Sequence, residues 1–170
     1  AIRANEQYLF TIEINGEILT DKNGNPLDFS SMREAIADKE LYFEAVKAME
    51  NSYSPYSSCK VGAALFTKNG KLFTGTNIEN AAFGPTVCAE RVAVFKAVSE
   101  GERDFFFFSV VGGKNGEING IFAPCGVCRQ VLREFCSDDF EILLGETKDD
   151  FKKVTLKDLL PLSFSPENVK

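Results

Sequence analysis

Histidine is absent from the 170-residue chain. Its absence excludes Ser-His-Asp and Cys-His nucleophilic machinery and the HExxH metalloprotease motif. Any general base must therefore be a carboxylate, a lysine, a tyrosine or a thiolate. Clustered basic charge is also lacking: 19 Lys and Arg against 25 Asp and Glu leave a net charge of −6. A phosphate backbone is bound through clustered Lys and Arg, so nucleic acid is not the expected partner. The apolar runs, of which "FFFFSVVGG" is an example, fall far short of the ~20 residues a membrane helix requires. No basic stretch followed by an apolar one and a cleavage site opens the sequence. A soluble protein resident in the cytoplasm is the expectation.

An even cysteine framework is missing as well. The five cysteines, Cys59, Cys88, Cys125, Cys128 and Cys136, do not read as a secreted disulfide scaffold in a chain of this length. In a reducing compartment, clustered cysteines point to metal or catalysis. The remaining composition, 44 % apolar, suits one packed domain that buries roughly 70 % of its unfolded surface.

Residues 7–20, "QYLFTIEINGEILT", alternate around Asn15-Gly16 and predict a hairpin. The turn-rich "DKNGNPLDFS" follows, giving an N-terminal extension over residues 1–30 ahead of a main domain over 31–170. From Ser31 to Asn51 the spacing of Met32, Ala35, Ile36, Leu41, Ala45, Val46 and Met49 predicts a helix. "KVGAALFTKNGKLFTGTNI" predicts a second hairpin turning at Asn69-Gly70. Helices are predicted over 88–100, ended by Gly101, and over 126–135. "FFFFSVVGG" suits a strand buried on both faces, "FEILLGE" predicts another, and a short helix stops at Pro161. Helices alternating with strands in this way define an α/β layered domain with helices covering a mixed sheet.

Two short stretches carry the chemistry, "TVCAERVAVFKAV" and "APCGVCRQVL". Cys88 and the pair Cys125 and Cys128 stand at or near two helix starts, where amide donors and the helix dipole favour thiolate over thiol. Three thiolates make a zinc site with an open fourth position. Glu90, one turn into the first helix, can reach that position without being a ligand. Other readings of the cysteines are a redox C-x-x-C pair, ordinary core thiols, or a closed structural zinc with Cys59 or Cys136 as fourth ligand. Cys136 by itself reads as a buried small hydrophobe. The order Cys-x-Glu followed by Pro-Cys-x-x-Cys is that of zinc nucleobase deaminases, whose glutamate shuttles protons.

In its segments "YSPYSSCKVGAALF", "NIENAAF", "CAERVAVFKAVSEG", "PCGVCRQVL" and "LLPLSFSP" the chain resembles the cytidine deaminases of the small, three-cysteine class. The likeness spans residues 39–166. It implies a three-layer α/β/α fold with a mixed five-stranded sheet, to which the N-terminal hairpin is added. It implies one Zn2+ per subunit on Cys88, Cys125 and Cys128, with Glu90 as general acid and base. Glu90 would take a proton from the zinc-activated water, protonate N3 of the pyrimidine, and later serve the departing ammonia. Three thiolates leave the zinc centre at net −1, and Arg91 matches the arginine that offsets this charge in the family. Asn77 and Glu79, at i and i+2 on a strand, share one face and suit ribose hydroxyls. A carboxylate there would repel a 5′-phosphate, so a nucleoside is favoured over a nucleotide. Ala89 would offer its backbone to the base edge. Phe164 would stack on the pyrimidine in a neighbouring subunit, within a homotetramer whose pockets are shared.

The chain departs from the family at Cys59, where many relatives carry a phenylalanine that helps wall the base pocket. The smaller side chain leaves a looser pocket or one shaped for a modified base. The leading expectation is deamination of cytidine and 2′-deoxycytidine in pyrimidine salvage. The alternatives are a deaminase of a related aminopyrimidine nucleoside of blasticidin type, and a zinc-stabilised binding module without turnover.

Overall fold

Helix α1 (Asp38–Met49) places Leu41, Tyr42, Ala45 and Met49 on one buried face, the spacing of an amphipathic helix. In the computed structural model, residues 38–169 are described in full. Ahead of them the description covers only the backbone of strands β1 (Ile2–Ala4), β2 (Phe10–Ile14) and β3 (Glu17–Ile18). The predicted hairpin is present in the pairing of β2 with β3, where Ile14 faces Glu17 across Asn15-Gly16. Strand β1, which the alternation did not reveal, pairs antiparallel on the other side of β2. Asn15-Gly16 itself, the "DKNGNPLDFS" stretch and the predicted helical residues 31–37 lie outside the described residues.

The main sheet contains β4 (Cys59–Thr67), β5 (Leu72–Thr76), β6 (Phe105–Lys114), β7 (Glu141–Gly145) and β8 (Phe151–Thr155). Its order is β5-β4-β6-β7-β8. Only β6 and β7 run parallel; the other neighbours are antiparallel, which is the expected mixed five-stranded sheet. The β4–β5 connection turns at Gly70, held at φ +79°. A side chain rarely adopts that conformation without strain.

Alternation along the central strands explains the three layers. Val61, Ala63, Leu65, Phe108, Val110, Ile142 and Leu144 pack on one face, with Ala93, Val94 and Ala97 of α2 (Ala89–Ser99) and Leu132 of α3 (Gly126–Phe135). Ala64, Phe66, Phe107, Val111 and Leu143 pack on the other face against α1. Each fully buried Leu or Phe contributes about 1.5–3 kcal/mol, so a period of two with both faces apolar requires helices on both sides. A bulge between Phe66 and Thr67 shifts the register there. The short α4 (Leu156–Leu159) is capped by Thr155, whose side chain exchanges hydrogen bonds with Asp158.

Strand β8 was not foreseen from the sequence. It is an edge strand with exposed Lys152 and Lys153, held by its ladder to β7 and by the half-buried Phe151 and Val154, which pack against the two cores. Charged residues on an edge strand also discourage pairing with another chain.

Candidate metal centre and active site

Position is set first by a missing side chain. A Cβ built on Gly75 of β5 would lie 2.2 Å from the Ala89 carbonyl oxygen and 2.6 Å from the Ala93 nitrogen. Helix α2 therefore rests with its backbone directly on the strand, and its first turn is fixed by that contact.

Cys88 caps α2 in extended conformation (φ −76°, ψ 154°), and Cys125 caps α3 in the same way (φ −66°, ψ 165°). Neither side chain takes part in a capping hydrogen bond, so both sulfurs are free to point beyond their helices. Cys128 is buried one turn into α3. The Cys88 and Cys125 Sγ atoms are 3.9 Å apart, those of Cys125 and Cys128 3.4 Å, and all three lie within 4.8 Å of one another. A tetrahedral zinc with bonds of about 2.3 Å separates its sulfurs by ~3.8 Å. The three residues fit such an ion.

Arg91, one turn past Cys88, donates from Nη2 to the Cys88 Sγ (3.8 Å) and to the Thr86 carbonyl (3.2 Å). The Cys88 thiol is pulled down to about 5, chiefly by hydrogen bonding from Cys128 and next by Arg91. Cys128 is pushed in the opposite direction by the same bond and by burial.

Glu90 is only 4 % exposed. Its Oε2 has no hydrogen-bond partner among the described residues, and burial raises its carboxyl to about 7. An orphaned buried carboxylate oxygen is costly to keep, and it sits two residues from the first sulfur. The other two cysteines stand apart from this grouping. Cys136 is embedded in the core with its thiol raised by burial, as the sequence predicts, and Cys59 is a half-buried free thiol at the start of β4.

The "NIEN" segment is extended, but it is not a continuation of β5. The strand ends at Thr76, and Ile78 forms single bridges to Tyr53 and Val87. Asn77 and Glu79 do turn toward one side, Glu79 onto the segment before β4 and Asn77 onto Ser52 and the first residues of β4. Asn77 Oδ1 accepts from Ser52 Oγ (2.6 Å) and Val61 N (2.8 Å), while its Nδ2 donates to the Cys59 carbonyl (2.8 Å). Glu79 Oε2 accepts from the amides of Tyr56 (2.9 Å) and Ser57 (3.2 Å), and Oε1 from the Ser57 hydroxyl. The Ser57 hydroxyl first, and the Tyr56 amide next, hold the Glu79 carboxyl below its ordinary value. Sequence reasoning missed Ser52 and Ser57, whose partners lie more than twenty residues away in the chain.

Ala89 is fully buried at the first position of α2. The Phe164 ring is 62 % exposed, while its carbonyl accepts from Gln130 Nε2 of α3 (3.0 Å).

Three cysteines at two helix starts, placed so that they could hold one metal ion, with a buried carboxylate beside them, are an arrangement suited to a zinc centre of the deaminase type. The family model described as the cytidine and deoxycytidylate deaminase zinc-binding region matches residues 36–144, more than half of the sequence, and the chain belongs to that family. It is 45 % identical over 129 residues to a cytidine deaminase of Halalkalibacterium halodurans, covering 76 % of this chain and 95 % of that protein. The crystal structure of a cytidine deaminase from Burkholderia pseudomallei superposes with a TM-score of 0.69 at 43 % identity, covering 75 % of this chain and 99 % of that one. A blasticidin-S deaminase of Bacillus cereus is 33 % identical over 109 residues, covering 62 % of this chain and 76 % of that protein.

Proposed function

We propose that the protein hydrolyses cytidine and 2′-deoxycytidine to uridine and 2′-deoxyuridine with release of ammonia, as a step of pyrimidine salvage. One observation carries the reading: a buried carboxylate with an unpartnered oxygen stands beside three sulfurs spaced for one ion. The zinc that Cys88, Cys125 and Cys128 would hold supplies, when bound, the Lewis acidity that makes water a nucleophile near neutral pH. Glu90 moves the protons: one from the attacking water to ring N3, and a second to the leaving amine. Arg91 offsets the thiolate charge through Cys88. Ala89, between ligand and base, presents backbone to the pyrimidine edge.

The hydrogen bonds already made by "NIEN" support binding of one sugar hydroxyl rather than two. Both lone pairs of Asn77 Oδ1 are taken and one Nδ2 hydrogen is used, leaving one donor. Glu79 Oε2 receives two amides and Oε1 one hydroxyl, leaving one acceptor position on Oε1. A single hydroxyl that accepts from Asn77 and donates to Glu79 completes both. The 3′-hydroxyl, the ring hydroxyl that cytidine and 2′-deoxycytidine share, fits this demand.

The exposed Phe164 ring, anchored by its backbone to the metal-bearing helix, supports a homotetramer in which it reaches a neighbour's base. Residence in the cytoplasm follows from the salvage role and agrees with cysteines kept as thiols. Residues 1–30 form an extension ahead of the catalytic domain of residues 31–170.

The test is loss of cytidine absorbance with zinc-loaded protein beside Glu90→Gln. That variant should keep about one zinc per chain and lose activity by ~10²–10⁴-fold; equal activity refutes the mechanism, and zinc without turnover in either protein leaves a binding module. A second reading, deamination of a larger aminopyrimidine nucleoside, is favoured by Cys59 alone. Turnover of blasticidin S but not of cytidine would select it.

A further inference from the structure

Helix α3 grips more than the metal. In Arg129, which follows the ligand Cys128, the backbone N–H donates to the Cys125 carbonyl (3.0 Å). Its side-chain Nε donates to the Pro124 carbonyl (2.7 Å). The first bond is the ordinary helical one that any residue at 129 would make; the side chain adds the second, a hold on the peptide just before Cys125, the most exposed of the three cysteines. The same guanidinium reaches on from Nη1 to the Leu159 carbonyl (2.6 Å), an acceptor at the end of α4 that the helix itself leaves unsatisfied. Gln130 then holds the Phe164 carbonyl. The tail from Leu159 to Phe164 is pinned at both ends to the helix that carries two of the three sulfurs. A fixed fork of donors suits arginine, because lysine presents a single point of charge.

We propose that Arg129 is a positioning residue: its guanidinium holds the peptide just before Cys125 and ties it to the C-terminal tail at Leu159, so that metal retention and tail order are coupled. The coupling rests on the three-cysteine zinc site but not on the identity of the substrate.

Two rates on zinc-loaded protein test it: zinc transfer to a chromophoric chelator, and chymotryptic cleavage of the tail at Leu162 and Phe164. Arg129→Met should release zinc ~10–100-fold faster, the usual consequence of removing a partner that orients a ligand, and its tail should be cut several-fold faster. Gln130→Met should speed cleavage while zinc release stays at the wild-type rate. Zinc removal from the wild type should also speed cleavage of the tail. Either rate unchanged in Arg129→Met overturns the coupling, as does a tail insensitive to zinc removal. If Arg129→Met does not fold, Arg129→Lys, which keeps the charge and reaches one carbonyl only, is judged by the same two rates. A folded wild-type protein that binds no zinc overturns both this coupling and the metal site beneath it.

Discussion

Replacing Gly75 with alanine tests whether the backbone contact between β5 and α2 is what aims Glu90. The added carbon would stand 2.2 Å from the Ala89 carbonyl oxygen and 2.6 Å from the Ala93 nitrogen, and such carbons do not approach closer than 3.0 Å. The helix start must retreat by about 0.8 Å, since both obstructing atoms are backbone and no rotamer relieves them. Overpacking of this kind costs about 1–3 kcal/mol. A displacement near 1 Å at a catalytic group costs ~10²-fold in rate. Gly75→Ala should therefore show a lower Tm and a kcat down by ~10²-fold, with zinc still bound. Gly145→Ala is the contrast. Its carbon would meet Tyr42 at 2.8 Å and Val111 at 2.7 Å, on the α1 face of the sheet, so it should lower Tm while the folded protein keeps its kcat. Thermal unfolding and steady-state cytidine kinetics on the two variants decide the matter. A Gly75→Ala protein with wild-type kcat would refute the claim that this contact positions Glu90.

Sugar analogues test the single-hydroxyl reading: 2′-deoxycytidine should match cytidine in kcat/KM within a few-fold, and 3′-deoxycytidine should fall by ~10–100-fold. An equal loss for both deoxy sugars would mean that two hydroxyls are bound. Ser57→Ala should move the acid limb of 1/KM to higher pH. The Ser57 hydroxyl favours the charged form of Glu79, so its loss lets the carboxyl protonate earlier as pH falls; coincident limbs would remove Glu79 from binding. Phe164→Ala should raise KM while leaving stability within about 0.5 kcal/mol, as befits a ring already 62 % exposed. Unchanged kinetics would take Phe164 out of the site.

The elements most legible in the sequence were those whose burial is complete. "FFFFSVVGG" reads as a strand covered on both faces because Phe107 and Phe108 enter opposite cores. The bounds of α3 follow from Pro124 and its apolar spacing. Strand β8 escaped because nothing in "FKKVT" announces that β7 has an open edge; its existence depends on a partner rather than on its own composition. Within each stretch, Cys88 with Glu90 and Cys125 with Cys128 were readable as neighbours because they lie two or three residues apart, a distance that helical geometry converts into proximity; the meeting of the two stretches is a long-range contact. Asn77 and Glu79 were readable as a pair, but not as a pair already occupied. Their partners Ser52 and Ser57 come close only through the Tyr53–Ile78 bridge, a long-range pairing that no local pattern encodes.

That distinction bears on why the centre is chemical rather than a staple. A structural zinc needs sulfurs alone, and a fold selecting only for stability would fill the Glu90 position with an apolar residue. An unpartnered carboxylate oxygen instead lies buried there, at a desolvation cost of about 1–3 kcal/mol. Its helix is held close to the sheet: Gly75 admits α2 to backbone contact, and Ala89 and Ala93 of the same helix are fully buried. Burial first, and the charge of Cys88 after it, bring the carboxyl to about 7 against the opposing pull of hydrogen bonds and Arg91, and a dication on the three sulfurs would draw it down. These opposed influences act on one side chain held by backbone packing, which is the arrangement required of a group that must accept a proton and return it in the same turnover.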